Sequence, residues 1–184
     1  MTALAKTAAA LVAFALLFAC KAEQTAQEEA GASTAKEMVA EDILGNPDYL
    51  AISYGGYREN SRDIQPTVAQ LKEDMKILAA MGIKILRTYN VELAHASNVL
   101  AAIRELKTED PKFEMYVMLG AWINCKGAFT ASPKHEEEDE EANAAEIRRA
   151  VALAKQYPDI VKIIAVGNEA MVKRAASYVV QPDV

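Results

Sequence analysis

Four apolar runs, each followed by a stretch with helical periodicity or its beginning, constrain this chain more than anything else in it. The runs span residues 50–54, 83–89, 113–119 and 160–166. After the first, Pro66 sits near a helix start, and Val68, Leu71, Met75 and Leu78 fall on one face of a helix expected over residues 67–81. Gly82 stops it. After the second, Val99, Leu100, Ile103 and Leu106 share a side, and Asp110-Pro111 closes the unit. The third run ends at Gly120, and a long polar loop leads to a helix over 142–156 with Ile147, Val151 and Ala154 on one face. Tyr157-Pro158-Asp159 breaks it, and residues 170–179 are expected to begin a further helix.

Consecutive β-α units call for a parallel sheet, because parallel strands need a crossover and a helix supplies it. The run 160–166 is almost entirely apolar, the pattern of a strand covered on both faces. A doubly wound sheet and a (β/α)8 barrel both satisfy this rhythm. No Gly-x-Gly-x-x-Gly follows the first run and no Walker A loop is present, which removes the main support for a nucleotide-binding fold. In a barrel, chemistry gathers where strands end. Those ends carry Ser53 to Arg58, Arg87 to Asn90, Gly120 to Asn124, and Gly167-Asn168-Glu169.

The ends of the chain set its address and its partners. Lys6 followed by an apolar run over 8–19 reads as a signal peptide, too short to span a bilayer. Leu17-Phe18-Ala19-Cys20 resembles a bacterial lipobox, so Cys20 is the expected lipidation site, against the alternative of an ordinary secretory signal. By likeness to Gram-negative lipoproteins, Lys21 after the cysteine points to the periplasm or outer membrane, lipid-anchored. Residues 21–45 hold few large apolar side chains and read as a flexible linker, leaving 46–184 for the folded part. With Cys20 lipidated, Cys125 has no partner for a disulfide. A net charge of -6 with no basic stripe argues against nucleic acid. The acidic run 136–141 reads as a solvated loop feeding the next helix, without EF-hand spacing, and His95 and His135 lack metal-ligand spacing, so no metal or cofactor is expected.

Glycoside cleavage needs one carboxyl to protonate the leaving oxygen and a second as nucleophile or base. Glu169 at a strand's mouth suits the first role, and Asn168 can donate to a sugar 2-hydroxyl. From spacing alone the plainer reading is stronger: Asn168 caps the next helix and Glu169 complements its dipole. Trp122, the sole tryptophan, stacks on a sugar ring or packs into the core. Arg87 orients a carboxylate or forms a structural ion pair. Asn124 contacts substrate or shapes its loop.

The chain resembles glycoside hydrolase family 17, β-1,3-glucanases of a retaining (β/α)8 clan. Three blocks carry the resemblance: Ile52-Ser53-Tyr54-Gly55, Met81 to Tyr89, and Ile164-Ala165-Val166-Gly167-Asn168-Glu169. It implies Glu169 as acid/base, Asn168 as its 2-hydroxyl partner, and Tyr54, Arg87 and Tyr89 lining a cleft that binds β-glucan. It also implies a nucleophilic Glu after the seventh strand, which nothing here matches. Because a (β/α)8 barrel takes roughly 250 residues, about four β-α units are expected here, an N-terminal part inactive by itself. A non-catalytic glucan-binding surface lipoprotein, and a four-stranded α/β domain unrelated to sugars, remain as rivals.

Overall fold

A computed structural model describes residues 37–179, and the compact unit begins at Met38. The elements are α1 (Ala40–Ile43), β1 (Leu50–Ser53), α2 (Val68–Ala80), β2 (Ile83–Arg87), α3 (Ala94–Glu109), β3 (Tyr116–Ala121), β4 (Cys125–Lys126), β5 (Lys134–Glu138), α4 (Glu140–Gln156) and β6 (Val161–Val166). Four strands form one parallel sheet in the order β1-β2-β3-β6. Strand order follows chain order, so no reversal of direction creates the crevice that marks doubly wound sheets.

Local chemistry sets the helix limits. Thr67 Oγ1 accepts from Gln70 N at 3.3 Å while Gln70 Oε1 accepts from Thr67 N at 2.9 Å, a reciprocal cap on α2. Gly82 adopts a left-handed φ of +84° just past the helix, a conformation that suits glycine. Asp139 caps α4 by accepting from Ala142 N, and Glu140 and Glu141 in the first turn favour its dipole. The acidic run feeds this helix as expected, but through a strand as well as a loop. Its first part is β5, paired antiparallel with β4, and the rest starts α4.

The helices α2, α3 and α4 share one core with Leu86, Val117, Leu119 and Ala121 of the sheet. Leu71, Met75, Leu100 and Ile103 are fully buried there. The opposite face carries Ile85 and Tyr116, and Ile43 of α1 packs on them. Residues 38–43, expected in the linker, thus cover part of the sheet. On α4 Asn143, Glu146 and Ala150 are buried, and of the expected face Ile147 and Ala154 pack against the core while Val151 is exposed.

Two further expectations change. β6 is buried at its start by Val161, but Ile164 and Val166 are 37% and 50% exposed. It is the edge strand, and only one neighbour covers it among the described residues. Residues 170–179 form turns rather than a helix: Val172 N bonds Glu169 O, and Val179 N returns to Ala170 O.

Gly120 continues β3 instead of ending it. A Cβ there would lie 2.4 Å from Thr88 O and 2.6 Å from Tyr89 C, both backbone atoms that cannot swing aside. The Gly120 amide also donates to Thr88 Oγ1 at 3.0 Å. Gly120→Ala is expected to destabilise the protein by about 1–3 kcal/mol, the usual range for overpacking, in urea unfolding. An unchanged midpoint would show that the two backbones are farther apart than this.

Candidate functional site

The strand ends β1, β2, β3 and β6 open on one rim, since all four strands are parallel. There Arg87 Nη2 donates to Asn168 Oδ1 at 2.9 Å, joining residues 81 positions apart. The guanidinium carbon sits 5.4 Å from the Tyr89 ring centroid, so the cation rests over an aromatic face. β3 lies between β2 and β6, and the reach of Arg87 crosses it. Arg87 thus bonds an amide instead of the carboxylate or ion-pair partner expected for it. That bond fixes the Asn168 amide, because its oxygen accepts from Arg87 and its NH2 group is left as a donor.

Glu169 follows at once, exposed, with a left-handed φ of +55°. Gly167 before it has a φ of +79°, and its amide bonds Ala121 O at 2.8 Å, extending the ladder one step past β6. A non-glycine residue in this region stores roughly 1–3 kcal/mol of strain, and such residues gather at functional sites. Because turns follow, Asn168 and Glu169 are not the start of a helix, and the capping explanation for this pair falls. Glu169 borders a cavity of about 340 Å³ with Ile123, Met171 and Val172.

Three other expected site residues lie elsewhere. Tyr54 is buried, and its hydroxyl donates to Asp74 Oδ2 at 2.6 Å, so it does not line a cleft. Arg58 holds both oxygens of the same carboxylate, at 2.9 and 2.7 Å. Burial pushes the Asp74 carboxyl up, but the bonds from Arg58 and Tyr54 and the Arg58 charge outweigh it and leave it below its ordinary value. Burial first, and Asp74 second, raise the Tyr54 hydroxyl far above its ordinary range. Trp122 and Asn124 pair with each other, the indole Nε1 donating to Asn124 Oδ1 at 2.8 Å. They face a second cavity of about 340 Å³, shared with Glu92, Asp139 and Arg149, and not the one beside Glu169. The Asn124 backbone is clamped by the buried Asn143 through two hydrogen bonds.

Two buried groups lie beside this rim: Glu146, which sequence reasoning missed, and His95, which it set aside for want of metal-ligand spacing. Glu146, 3% exposed on α4, accepts from Val91 N at 2.7 Å and Trp122 N at 3.2 Å and pairs with Arg149. It ties the exits of β2 and β3 to one helix. The only hint was Glu-x-x-Arg spacing, which also occurs on solvated faces. His95, at the start of α3, is 5% exposed, stacks on Tyr57 with centroids 5.4 Å apart, and leaves Nε2 without a partner. Cys125 is a buried free thiol, and among the described residues no group of His, Cys, Asp and Glu is arranged to hold a metal. The expected lipidation at Cys20 lies outside the described residues.

No family model matches the chain, and no curated protein matches it. Among solved structures it is similar to the crystal structure of an endo-laminarinase from Formosa Hel1_33_131, at 70% identity with a TM-score of 0.75. The match covers 79% of this chain, and the chain spans 37% of the length of that enzyme. Fold and sequence therefore agree with a laminarinase over most of the present chain.

Burial makes the site's wall sensitive to acid. It pushes the His95 imidazole down from 6.5 to about 4. An unfolded chain takes up that proton near 6.5, whereas the folded chain resists it until about 4. Stability from this group is complete above 6.5 and falls as pH drops towards 4. Asp74, held below its ordinary 3.8, adds a loss in the same direction at lower pH. The urea midpoint is expected to fall between pH 6.5 and 4, and His95→Phe to flatten that part of the curve. The same slope in both proteins would contradict a buried, neutral His95.

Proposed function

We propose that this chain carries the acid/base side of a retaining β-1,3-glucan hydrolase of glycoside hydrolase family 17. The 70% identity to an endo-laminarinase is the observation that carries the substrate class, since laminarin is a β-1,3-glucan. The Arg87–Asn168 bond beside Glu169 supports the assignment of roles. The sequential strand order, with α2, α3 and α4 on one sheet face, supports a (β/α)8 barrel of which these are consecutive strands. Because the chain spans 37% of the laminarinase, the activity of the whole protein belongs to this proposal.

In this reading the Glu169 carboxyl gives its proton to the glycosidic oxygen as the bond to the anomeric carbon breaks. A second carboxylate takes up the sugar as a glycosyl ester. Glu169, now ionised, accepts a proton from the water or acceptor sugar that attacks the ester. The Asn168 amide donates to the 2-hydroxyl, an interaction that strengthens as charge develops on the ring. Arg87 holds that amide in place beforehand, so orientation is not lost to rotation at the moment of reaction.

Glu169→Gln removes the proton without changing the side chain's shape. In whatever length of the protein turns over laminarin, this change is expected to lower the rate by about 10²–10⁴-fold. An aryl β-glucoside with a strongly acidic phenol leaves without protonation and is expected to lose far less. Equal losses on both substrates would argue against Glu169 as the acid. Laminarin binding with no turnover in any length of the protein would favour a glucan-binding protein.

Export and a lipid anchor complete the proposal, supported by the apolar run 8–19 and the Leu17-Phe18-Ala19-Cys20 sequence. Cys20→Ser is expected to abolish labelled palmitate incorporation in a Gram-negative host and release the protein from membranes. Retained label would rule out Cys20 as the acceptor.

A further inference from the structure

A left-handed residue other than glycine persists only where its surroundings over-determine it, and Glu169 is held from both sides. On the near side the Gly167 amide bonds Ala121 O, and Arg87 bonds Asn168. On the far side Ala170 is buried and packs with Ile123, Cys125 and Val179 in a small apolar cluster. The Ala170 carbonyl accepts from Val179 N at 2.6 Å. Residues 170–179 therefore form a loop that leaves Glu169 and closes again on the residue beside it.

The β4–β5 hairpin carries that loop. Cys125 N donates to Ser177 O at 3.0 Å, and Cys125 Sγ lies 3.6 Å from Ala176 O. From β5, His135 Nδ1 lies 3.0 Å from Tyr178 O, and the two rings stack with centroids 4.0 Å apart and planes at 10°. A carbonyl oxygen only accepts, so Nδ1 holds the hydrogen and donates it. Three consecutive carbonyls, those of Ala176, Ser177 and Tyr178, thus end on hairpin groups, and Val179 next to them closes on Ala170. The hairpin is fixed at its base, where Asp139 N donates to Asn124 O and Asn143 of α4 clamps Asn124. The main core forms without this arm, since neither His135 nor Tyr178 belongs to the cluster that joins sheet and helices.

We infer that His135 is a positioning residue for Glu169: by gripping both the carbonyl and the ring of Tyr178, it holds the loop that keeps the Glu169 backbone in its left-handed turn. The inference rests on the reading of Glu169 as the proton donor and adds the group that keeps the donor aimed. His135 acts through Tyr178, Val179 and Ala170 and not on the sugar. Releasing the grip lets the Glu169 backbone relax towards an unstrained conformation, which moves the carboxyl. A displaced proton donor slows turnover while ground-state binding is kept.

The test uses the length of the protein that turns over laminarin. His135→Phe keeps a flat ring against Tyr178 and deletes the Nδ1 donor. Its kcat on laminarin is expected to fall about 10–100-fold, with KM within about 2-fold of wild type. On an aryl β-glucoside with a strongly acidic phenol the fall is expected to be far smaller, because that group leaves without protonation. His135→Asn places an amide N–H near the position of Nδ1 and is expected to recover much of the laminarin rate. Where His135→Phe does not fold, Tyr178→Leu takes its place: it removes the ring contact, keeps the carbonyl, and is expected to show the same laminarin-selective loss at about 2–10-fold. Full laminarin kcat with a lowered Tm, the mark of a purely structural brace, would overturn the inference, as would equal losses on the two substrates. Glu169→Gln assayed in parallel separates the two failures. If it is selective for laminarin and the hairpin variants are not, the positioning role of His135 falls alone. If it loses equally on both substrates, or if no length of the protein turns over laminarin, the proton-donor reading falls and this inference with it.

Discussion

The rim depends on how closely the exits of β2 and β3 approach one another. Gly120 allows the Thr88-Tyr89 backbone to pass where any side chain would stand, and Thr88 secures the contact by accepting from the Gly120 amide. Glu146 then closes the same junction from the helix layer, accepting from Val91 N and Trp122 N at once. Two loops that would otherwise move separately are held by a helix side chain. Tyr89 and Arg87 inherit their positions from that junction, and the reach of Arg87 to Asn168 follows from it.

A buried carboxylate in this role is informative because it is expensive to leave unpaired. Backbone N–H donors and Arg149 supply its partners, so Glu146 is fixed by the loops as much as it fixes them. The Tyr54–Asp74–Arg58 group does the same for the exit of β1, tying it to α2. The exits of β1, β2 and β3 are thus fastened to the helix layer by polar contacts, and the residues left free at the rim are the ones available for a ligand. That division separates Tyr54 from Tyr89, although both are tyrosines at the ends of neighbouring strands.

Element order and helix limits were legible because they rest on local rules. The Thr67–Gln70 cap, Gly82 and the period of Leu71 and Met75 all act within a few residues. Exposure was not legible in the same way. Residues 160–166 look doubly buried in sequence, yet Ile164 and Val166 are exposed because burial depends on how many neighbours a strand has. The site shows the same limit. Arg87, Tyr89 and Asn168 were singled out and are brought together, while Tyr54 is diverted by Asp74 and Trp122 by Asn124. Those diversions are set by Asp74, 20 residues away and unmarked by any motif, and by Asn124, two residues away and itself singled out for the site. Glu146 escaped notice because its function is to satisfy backbone amides, which leave no trace in residue type.

The backbone at Glu169 adds an argument that side-chain identity cannot supply. Had a helix followed β6, Asn168 and Glu169 would both be explained by capping and dipole, and no strain would be needed. Turns follow instead, and Glu169 sits at a φ of +55° that a glycine would adopt more cheaply. Asn168 gives up one end of its amide to Arg87 and keeps the other free. The left-handed backbone at Glu169 costs energy that packing does not require, while the Arg87 bond fixes the neighbouring amide. In the function proposed above, a third group with an oxygen to protonate and a hydroxyl to hold is the partner for which both are arranged.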